Sequence, residues 1–408
     1  MRRVAVVVAL NMVAAAAYGL VAAQMGFFTH MGETLFSSPD SLGYRDVGNW
    51  LFQALPNPVE SLHRPFLYPV LLGAASRIGG DAAIWALNLL LWLGTVNVTS
   101  AAAWRMTRRP LLGAIVFLVL ATNVSLIVLS FQALTELTVA FLESIWILGL
   151  ALSALPPSRP REIAMLLLPI SLLTVVKPAY QIELLVALVL LAILIWRLPR
   201  GRRSAAAVVA ACCIPIAFQL GLNATANHVF SLSSTGDAEV RGYYVSQVYA
   251  SINGLPDDLV AARRVVYRWS NGQVVSFLVD HRGLAIRTLV SNLHSNLASG
   301  SNFIDPGKTP LLAAAVRDTN RAFLRLHLLF LPIVALALWR RRDVRLLLLY
   351  AFALVLILVP SLIVDQGDRY IEMALPLWAA AYALAVSDLL PDVFRIVAHL
   401  RRNAPQSN

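Results

Sequence analysis

Long apolar runs alternate with short polar stretches along almost the whole chain. A helix that crosses a bilayer needs about 20 mainly apolar residues. By that measure the pattern predicts about ten spans, near residues 4–27, 82–104, 111–129, 139–155, 163–176, 179–196, 205–222, 323–339, 346–364 and 371–386. The polar intervals are unequal. Two are long, one from 29 to 81 and one from 223 to 322. In the first, Tyr44, Val47, Leu51 and Leu55 recur at helical spacing and predict a helix on the membrane surface. Residues 66–78 are too few to span and predict a second interfacial helix. In the second, Ile286, Leu289, Val290, Leu293 and Leu297 mark an amphipathic helix. No strong strand pattern and no internal repeat stands out.

The expected fold is therefore an all-α polytopic membrane protein. An N-terminal transmembrane module, 1–222, carries the first outer loop, 29–81. An outer helical loop follows, 223–322. C-terminal transmembrane helices and a tail fill 323–408. The run 4–27 exceeds a typical signal-peptide core of roughly 7–15 residues, so it reads as a retained first span. Cleavage after Ala23 is the alternative.

Composition supports the membrane class. The chain is 58% hydrophobic and 13% charged, with a mean hydropathy of +0.70. A soluble domain lies nearer 45–50% apolar. The formal net charge of +11 invites a nucleic-acid partner, but the bases form no single patch. More than half of the 33 lysines and arginines fall in short intervals and tails. These hold Arg2 and Arg3, Arg105, Arg108 and Arg109, Arg159 and Arg161, Arg197 to Arg203, Arg340 to Arg345, and Arg395 to Arg402. The positive-inside rule puts them, and both termini, in the cytoplasm. The two long loops then lie on the outer side. The two cysteines, Cys212 and Cys213, are adjacent in an apolar run and show neither disulfide nor metal spacing.

Loop length also bounds the chemistry. No inner loop approaches the 50 or so residues of a small domain, and no Walker loop or GxGxxG is present. Nor is there an Asp-x-Asp pair or an HExxH. Any reaction is expected on the outer side, with an activated substrate delivered on a lipid.

Several residues there could carry it. Asp40 follows the first run, as a helix N-cap or as a functional acid. Arg64 precedes Pro65, and a guanidinium suits a phosphate as well as a lipid headgroup. Lys177-Pro178 joins two short apolar segments, a pointer to a site at membrane depth. It is one of two lysines, the other being Lys308. Glu136 sits in a short outer turn, with Glu143 on the same helix face and Glu183 two segments on. An acid inside the membrane costs about 2.5–3.5 kcal/mol on insertion scales and normally faces a cavity or partner. Helix packing is the expected role of Glu143 and Glu183, and a site role that of Glu136. Arg369 opens the last span as a phosphate contact or a partner for Asp368 or Glu372.

Taken together, these residues resemble the GT-C class of integral-membrane glycosyltransferases, which use polyprenyl-phosphate sugars. Asp40-Ser41-Leu42-Gly43-Tyr44 looks like the acidic motif after the first span. Arg64-Pro65-Phe66-Leu67-Tyr68-Pro69 resembles the segment where the lipid A aminoarabinose transferases place a phosphate-binding Lys-Pro pair. Leu134-Thr135-Glu136 resembles the outer turn that often supplies a second acid. Arg369-Tyr370 with Pro376 is similar to an Arg-Tyr…Pro motif before a late span. His228 to Ser233 through Gly242-Tyr243 resembles the loop after the seventh span of uncharacterised bacterial members. The chain departs from the protein O-mannosyltransferases, which carry Asp-Glu where it has Asp40-Ser41. It also lacks a large soluble C-terminal domain.

The resemblance implies an inverting sugar transfer on the outer face of a bacterial plasma membrane. The donor is a polyprenyl-phosphate monosaccharide, and the acceptor is a hydroxyl on a glycan, lipid or protein. Asp40 and Glu136 are the catalytic candidates, with Asp40 as general base. Arg64, Lys177 and Arg369 would bind the lipid phosphate, and Tyr44, Tyr68 and Tyr243 the substrate. No resident metal is expected, although Asp40 and Glu136 could share a divalent ion. Membrane lipids are expected partners, and nucleic acid is not. The rival readings are a transporter or lipid flippase for a glycan precursor and a non-catalytic assembly protein.

Overall fold

The computed structural model describes residues 2–53, 55–197, 201–255, 258–298, 300–358, 362 and 368–403. Among them every regular element is helical and no strand occurs. Helices occupy all ten predicted segments. Five are long and apolar enough to cross a membrane: Ala5–Gln24, Leu67–Thr107, Pro178–Trp196, Pro310–Arg341 and Ile371–Pro391. The pair Arg202–Cys212 and Ile214–Ala226, bent by 42°, makes a sixth if it is one span. The expectation of ten full spans is thus not met. Glu136–Leu152 has 17 residues and Pro160–Thr174 has 15. At 1.5 Å per residue they reach about 22–26 Å, short of the ~30 Å hydrocarbon core. Several long apolar helices mark the chain as an integral membrane protein.

The first helix, Arg2–Gln24, packs on the interior through Ala14, Tyr18, Val21 and Ala22, while Val6, Met12 and Leu20 are exposed. Its Tyr18 hydroxyl accepts from Trp85 Nε1 at 2.9 Å and from Ser130 Oγ at 3.0 Å. Trp92, Phe131 and Phe27 extend the aromatic cluster around it. The last helix, Arg369–Asn403, packs on Leu67–Thr107, Glu136–Leu152, Pro310–Arg341 and Val344–Leu358. A helix with that many neighbours must be apolar on every side. Accordingly Ile371, Ala374, Leu377, Trp378, Ala381 and Ala385 are all buried.

The first long polar interval folds much as its periodicity predicts. Pro39–Gln53 is a helix with Tyr44 and Val47 buried; Leu55 falls beyond its end and is exposed. The second interfacial helix proves to be the start of Leu67–Thr107, whose helical geometry breaks at Gly79 and Gly80. Gly80 has a φ of +60°, a conformation that glycine adopts freely. The two helices meet at Gly48, where a Cβ would come within 2.8 Å of the Pro69 carbonyl oxygen.

The second long interval has a small core of its own: Tyr244, Val245, Val248, Val266, Val274 and Ala285. Its helix Arg282–Ala298 forms as predicted, but the inward face differs. Ala285, Asn292 and Asn296 are buried, while Ile286 and Val290 point outward. Helix Pro310–Arg341 runs unbroken across residue 322, where the loop was expected to end. Cys212 and Cys213 are free thiols.

Candidate functional site

The first surprise is at Asp40. Helix Pro39–Gln53 begins two residues earlier than an Asp40 cap requires. Ser38 takes the capping place, its Oγ accepting from the Asp40 N–H at 3.2 Å. The Asp40 carboxylate is thereby released to face two arginines. Its Oδ1 accepts from Arg64 Nη2 at 2.7 Å and its Oδ2 from Arg369 Nη1 at 3.0 Å.

Arg369 bridges onward. Its Nε and Nη2 both donate to Glu136 Oε1, at 2.9 and 2.7 Å. Lys177 Nζ joins the same oxygen at 3.3 Å. It also lies 3.3 Å from Met373 Sδ, one turn along from Arg369. Thr135 Oγ1 donates to Glu136 Oε2 at 3.4 Å. Thus Arg64, Asp40, Arg369, Glu136 and Lys177 form one continuous chain of ion pairs. They come from five places in the sequence: the first loop twice, the turn before Glu136–Leu152, the Lys177-Pro178 joint and the start of the last helix.

Burial strengthens every link, because a low-dielectric surrounding screens charge less than water does. The Glu136 side chain is 1% exposed and those of Arg369 and Lys177 are 10% and 15%. Asp40 is more open, at 32%. Burial alone would raise the Asp40 pKa, but Arg369 and Arg64 outweigh it and hold the carboxyl down to about 2. Arg64 shows the counterpart: burial opposes its charge, while Tyr44 and Asp40 favour it, and its pKa rises.

Two of the three expected substrate tyrosines join this cluster. Arg64 lies 4.7 Å over the Tyr44 ring, and Tyr44 meets Tyr68 edge to face at 5.1 Å. The Tyr68 hydroxyl is buried with no hydrogen-bond partner among the described residues. Tyr243 is different. It packs beneath Arg263, 4.4 Å from the guanidinium, and against the main apolar core, not the second loop's own core. A cleft of about 440 Å³ opens beside the cluster. Ser37, Ser38, Pro39, Asn302, Phe303, Ile304 and Asp305 line it, with Arg369. A larger apolar groove of about 530 Å³ lies elsewhere, between Leu188–Trp196 and Arg202–Ala210.

The donor set does not suit a divalent ion shared by Asp40 and Glu136. Both Asp40 oxygens and Glu136 Oε1 already hold cationic side chains. Among the described residues no three His, Cys, Asp or Glu side chains meet as ligands would. Arg369 does not pair with Asp368, as one reading of the sequence allowed. Asp368 Oδ2 accepts from Ser125 Oγ and, at 3.2 Å, from Asn320 Nδ2. Asp365, Gln366 and Gly367 of that turn lie outside the described residues.

Sequence reasoning missed one acid. Glu239 closes the short helix Thr235–Glu239 in the second loop. It is half-buried and near enough to Lys177, Arg369, Asp40 and Arg64 to feel the charge of each. Burial raises its pKa, with Lys177 and Arg369 pulling the other way. The missed signal lay in the polar run Ser231–Thr235, which pins this helix to the residue before Arg64. Ser233 Oγ and Thr235 Oγ1 donate to the His63 carbonyl at 3.2 and 2.7 Å. Ser234 Oγ lies 2.7 Å from His63 Nδ1.

No family model matches the chain, and no curated protein or solved structure proves significantly similar to it.

Proposed function

We propose that the chain is an inverting glycosyltransferase that takes a sugar from a polyprenyl-phosphate monosaccharide to an acceptor hydroxyl on the outer face of a bacterial plasma membrane. The observation that carries this reading is the convergence of Arg64, Lys177 and Arg369 on two carboxylates beside a cleft. Within direct contact, three cations meet three acids, since Glu60 Oε2 also lies 3.7 Å from Arg64 Nε. What favours a phosphate is therefore the geometry and not an excess of positive charge: two guanidinium forks and an ammonium converge, and the charged oxygens of a lipid-linked phosphate suit such donors. The segments holding these bases adjoin long apolar helices, where the phosphate of a membrane-bound lipid would lie.

In this reading a donor phosphate shares Arg64, Arg369 and Lys177 with Asp40 and Glu136, which keep their contacts to them. As the glycosidic bond to phosphate breaks, negative charge grows on the leaving oxygen. The same three cations stabilise it. The bases are already held in place by the acids, so little reorganisation is needed. Asp40 and Glu136 then act first as counter-ions that position the cations.

Binding of undecaprenyl phosphate to the purified full chain in detergent tests the proposal. Arg64→Ala and Lys177→Ala should each weaken binding by roughly ten- to a hundredfold, the value of one charge-assisted contact. Unchanged affinity in both variants would sink it.

A further inference from the structure

Acyl, phosphoryl and glycosyl transfers to a hydroxyl all need a place for the hydroxyl proton. A general base must present a free lone pair and a pKa not far below the working pH. Both acids singled out from the sequence keep lone pairs, but each is engaged by cations that lower its basicity. Each Asp40 oxygen holds an arginine, and Glu136 Oε1 takes three contacts from Arg369 and Lys177, with Oε2 facing Thr135. Asp40 is moreover held at a pKa of about 2, far too acidic to be an efficient proton acceptor near neutrality.

Glu239 stands among the same cations without being claimed by any of them. Its side chain has no hydrogen bond or ion pair among the described residues. Four contacts fix its helix to the first loop: Ser233 and Thr235 to the His63 carbonyl, Ser234 to the His63 ring, and the Ser234 N–H to the Leu62 carbonyl at 3.1 Å. Helix Thr235–Glu239 also packs beside the turn Pro178–Tyr180 that follows Lys177. Lys177, Arg369, Asp40 and Arg64 are all near enough to act on the Glu239 charge. On its own helix, Asp237 is occupied by Arg241 at 2.5 Å.

We infer that Glu239, supplied by the second outer loop, is the carboxylate that accepts the proton of the acceptor hydroxyl. This rests on the glycosyl-transfer reading above. In the step, the acceptor oxygen bonds to the anomeric carbon as the bond from that carbon to the phosphate oxygen breaks. The bonding pair stays on the phosphate, and the hydroxyl proton passes to Glu239. Being half-buried, Glu239 can return the proton to outer-side water. The burial that raises its pKa brings its basicity toward the range such a role needs.

The test compares wild type with Glu239→Gln, which keeps size and removes basicity. The first readout is undecaprenyl phosphate affinity from pH 5 to 8.5. Removing a negative charge from beside the three bases should tighten binding, by roughly tenfold at the upper end. The gap between the two proteins should narrow as pH falls and wild-type Glu239 takes up its proton. The second readout is sugar transfer from undecaprenyl-phosphate-linked sugars to envelope acceptors. Glu239→Gln should lose roughly 10² or more in turnover, with no rise in donor KM. Weaker lipid-phosphate binding in the variant makes Glu239 a structural group and overturns the inference. So does normal transfer by the variant, which leaves the glycosyltransferase reading standing. Wild type that neither binds the lipid phosphate nor transfers sugar overturns both.

Discussion

Glu136 and Glu143 lie seven residues apart on one helix, and each is 1% exposed. Their surroundings are opposite. Glu136 is gripped by Arg369 and Lys177. Glu143 accepts from the Tyr180 hydroxyl at one oxygen and has no hydrogen-bond partner at the other. Glu183, near Glu143, has no hydrogen-bond partner at either oxygen. Burial therefore does not separate a site acid from a packing acid. The presence of partner cations does. A carboxylate paired with arginine and lysine keeps cations assembled that a further anion can share. A carboxyl held by a single hydroxyl ties helix Glu136–Leu152 to the turn Pro178–Tyr180 and offers an anion nothing.

The largest way to break this contrast is Arg369→Ala. It removes the one side chain shared by Asp40 and Glu136 and leaves a buried carboxylate short of its partner. We expect a loss of about 3–5 kcal/mol, read by chemical unfolding of the detergent-solubilised protein. Arg369→Lys should recover little, because a single ammonium cannot bridge both acids as the planar fork does. Full stability in Arg369→Ala would mean that the chain of ion pairs is not what holds the five segments together.

A smaller effect, about 2 kcal/mol, should come from Asp40 through pH. Its folded pKa of about 2 lies below the ordinary aspartate value of 3.8. A group depressed on folding stabilises the fold above its unfolded pKa, and that contribution is lost as pH falls through the folded value. Stability should thus decline between about pH 4 and pH 2, and Asp40→Asn should flatten that part of the curve. An unchanged acid limb would show that the two arginines do not grip Asp40 in solution.

The smallest effect belongs to the deeper acid. Glu143→Gln retains an oxygen for the Tyr180 hydroxyl, so stability should change by under about 1 kcal/mol. Undecaprenyl phosphate affinity should not change at all. A large loss of affinity in Glu143→Gln would erase the distinction between the two acids.

Much of this was legible before any coordinates. The long apolar helices, the two long polar intervals and the helix at Tyr44–Leu51 follow from spacing, because apolar periodicity is a local property of the chain. Asp40, Arg64, Glu136, Lys177 and Arg369 could each be singled out, since a charge beside an apolar run is costly and so informative. Tyr44 and Tyr68 pack beside Arg64 while Tyr243 lies under Arg263, a difference of position the motif containing Gly242-Tyr243 could not give. Nor did the outward turn of Ile286 and Val290 follow from their helical spacing. Periodicity finds a stripe; it does not say which neighbour the stripe meets.

What the sequence determined by itself, then, was where charge and helix fall along the chain. Tertiary structure alone decided who holds whom. Arg369 could have paired with Asp368, three atoms of backbone away, yet it reaches Asp40 and Glu136, from 329 and 233 positions up the chain. Glu239 was one acid among many until Ser233, Ser234 and Thr235 fastened its helix to His63. The physical reason is range. Helix formation depends on residues three and four apart, whereas the pairing of buried charges depends on which helices pack together, and that is settled by the whole core at once.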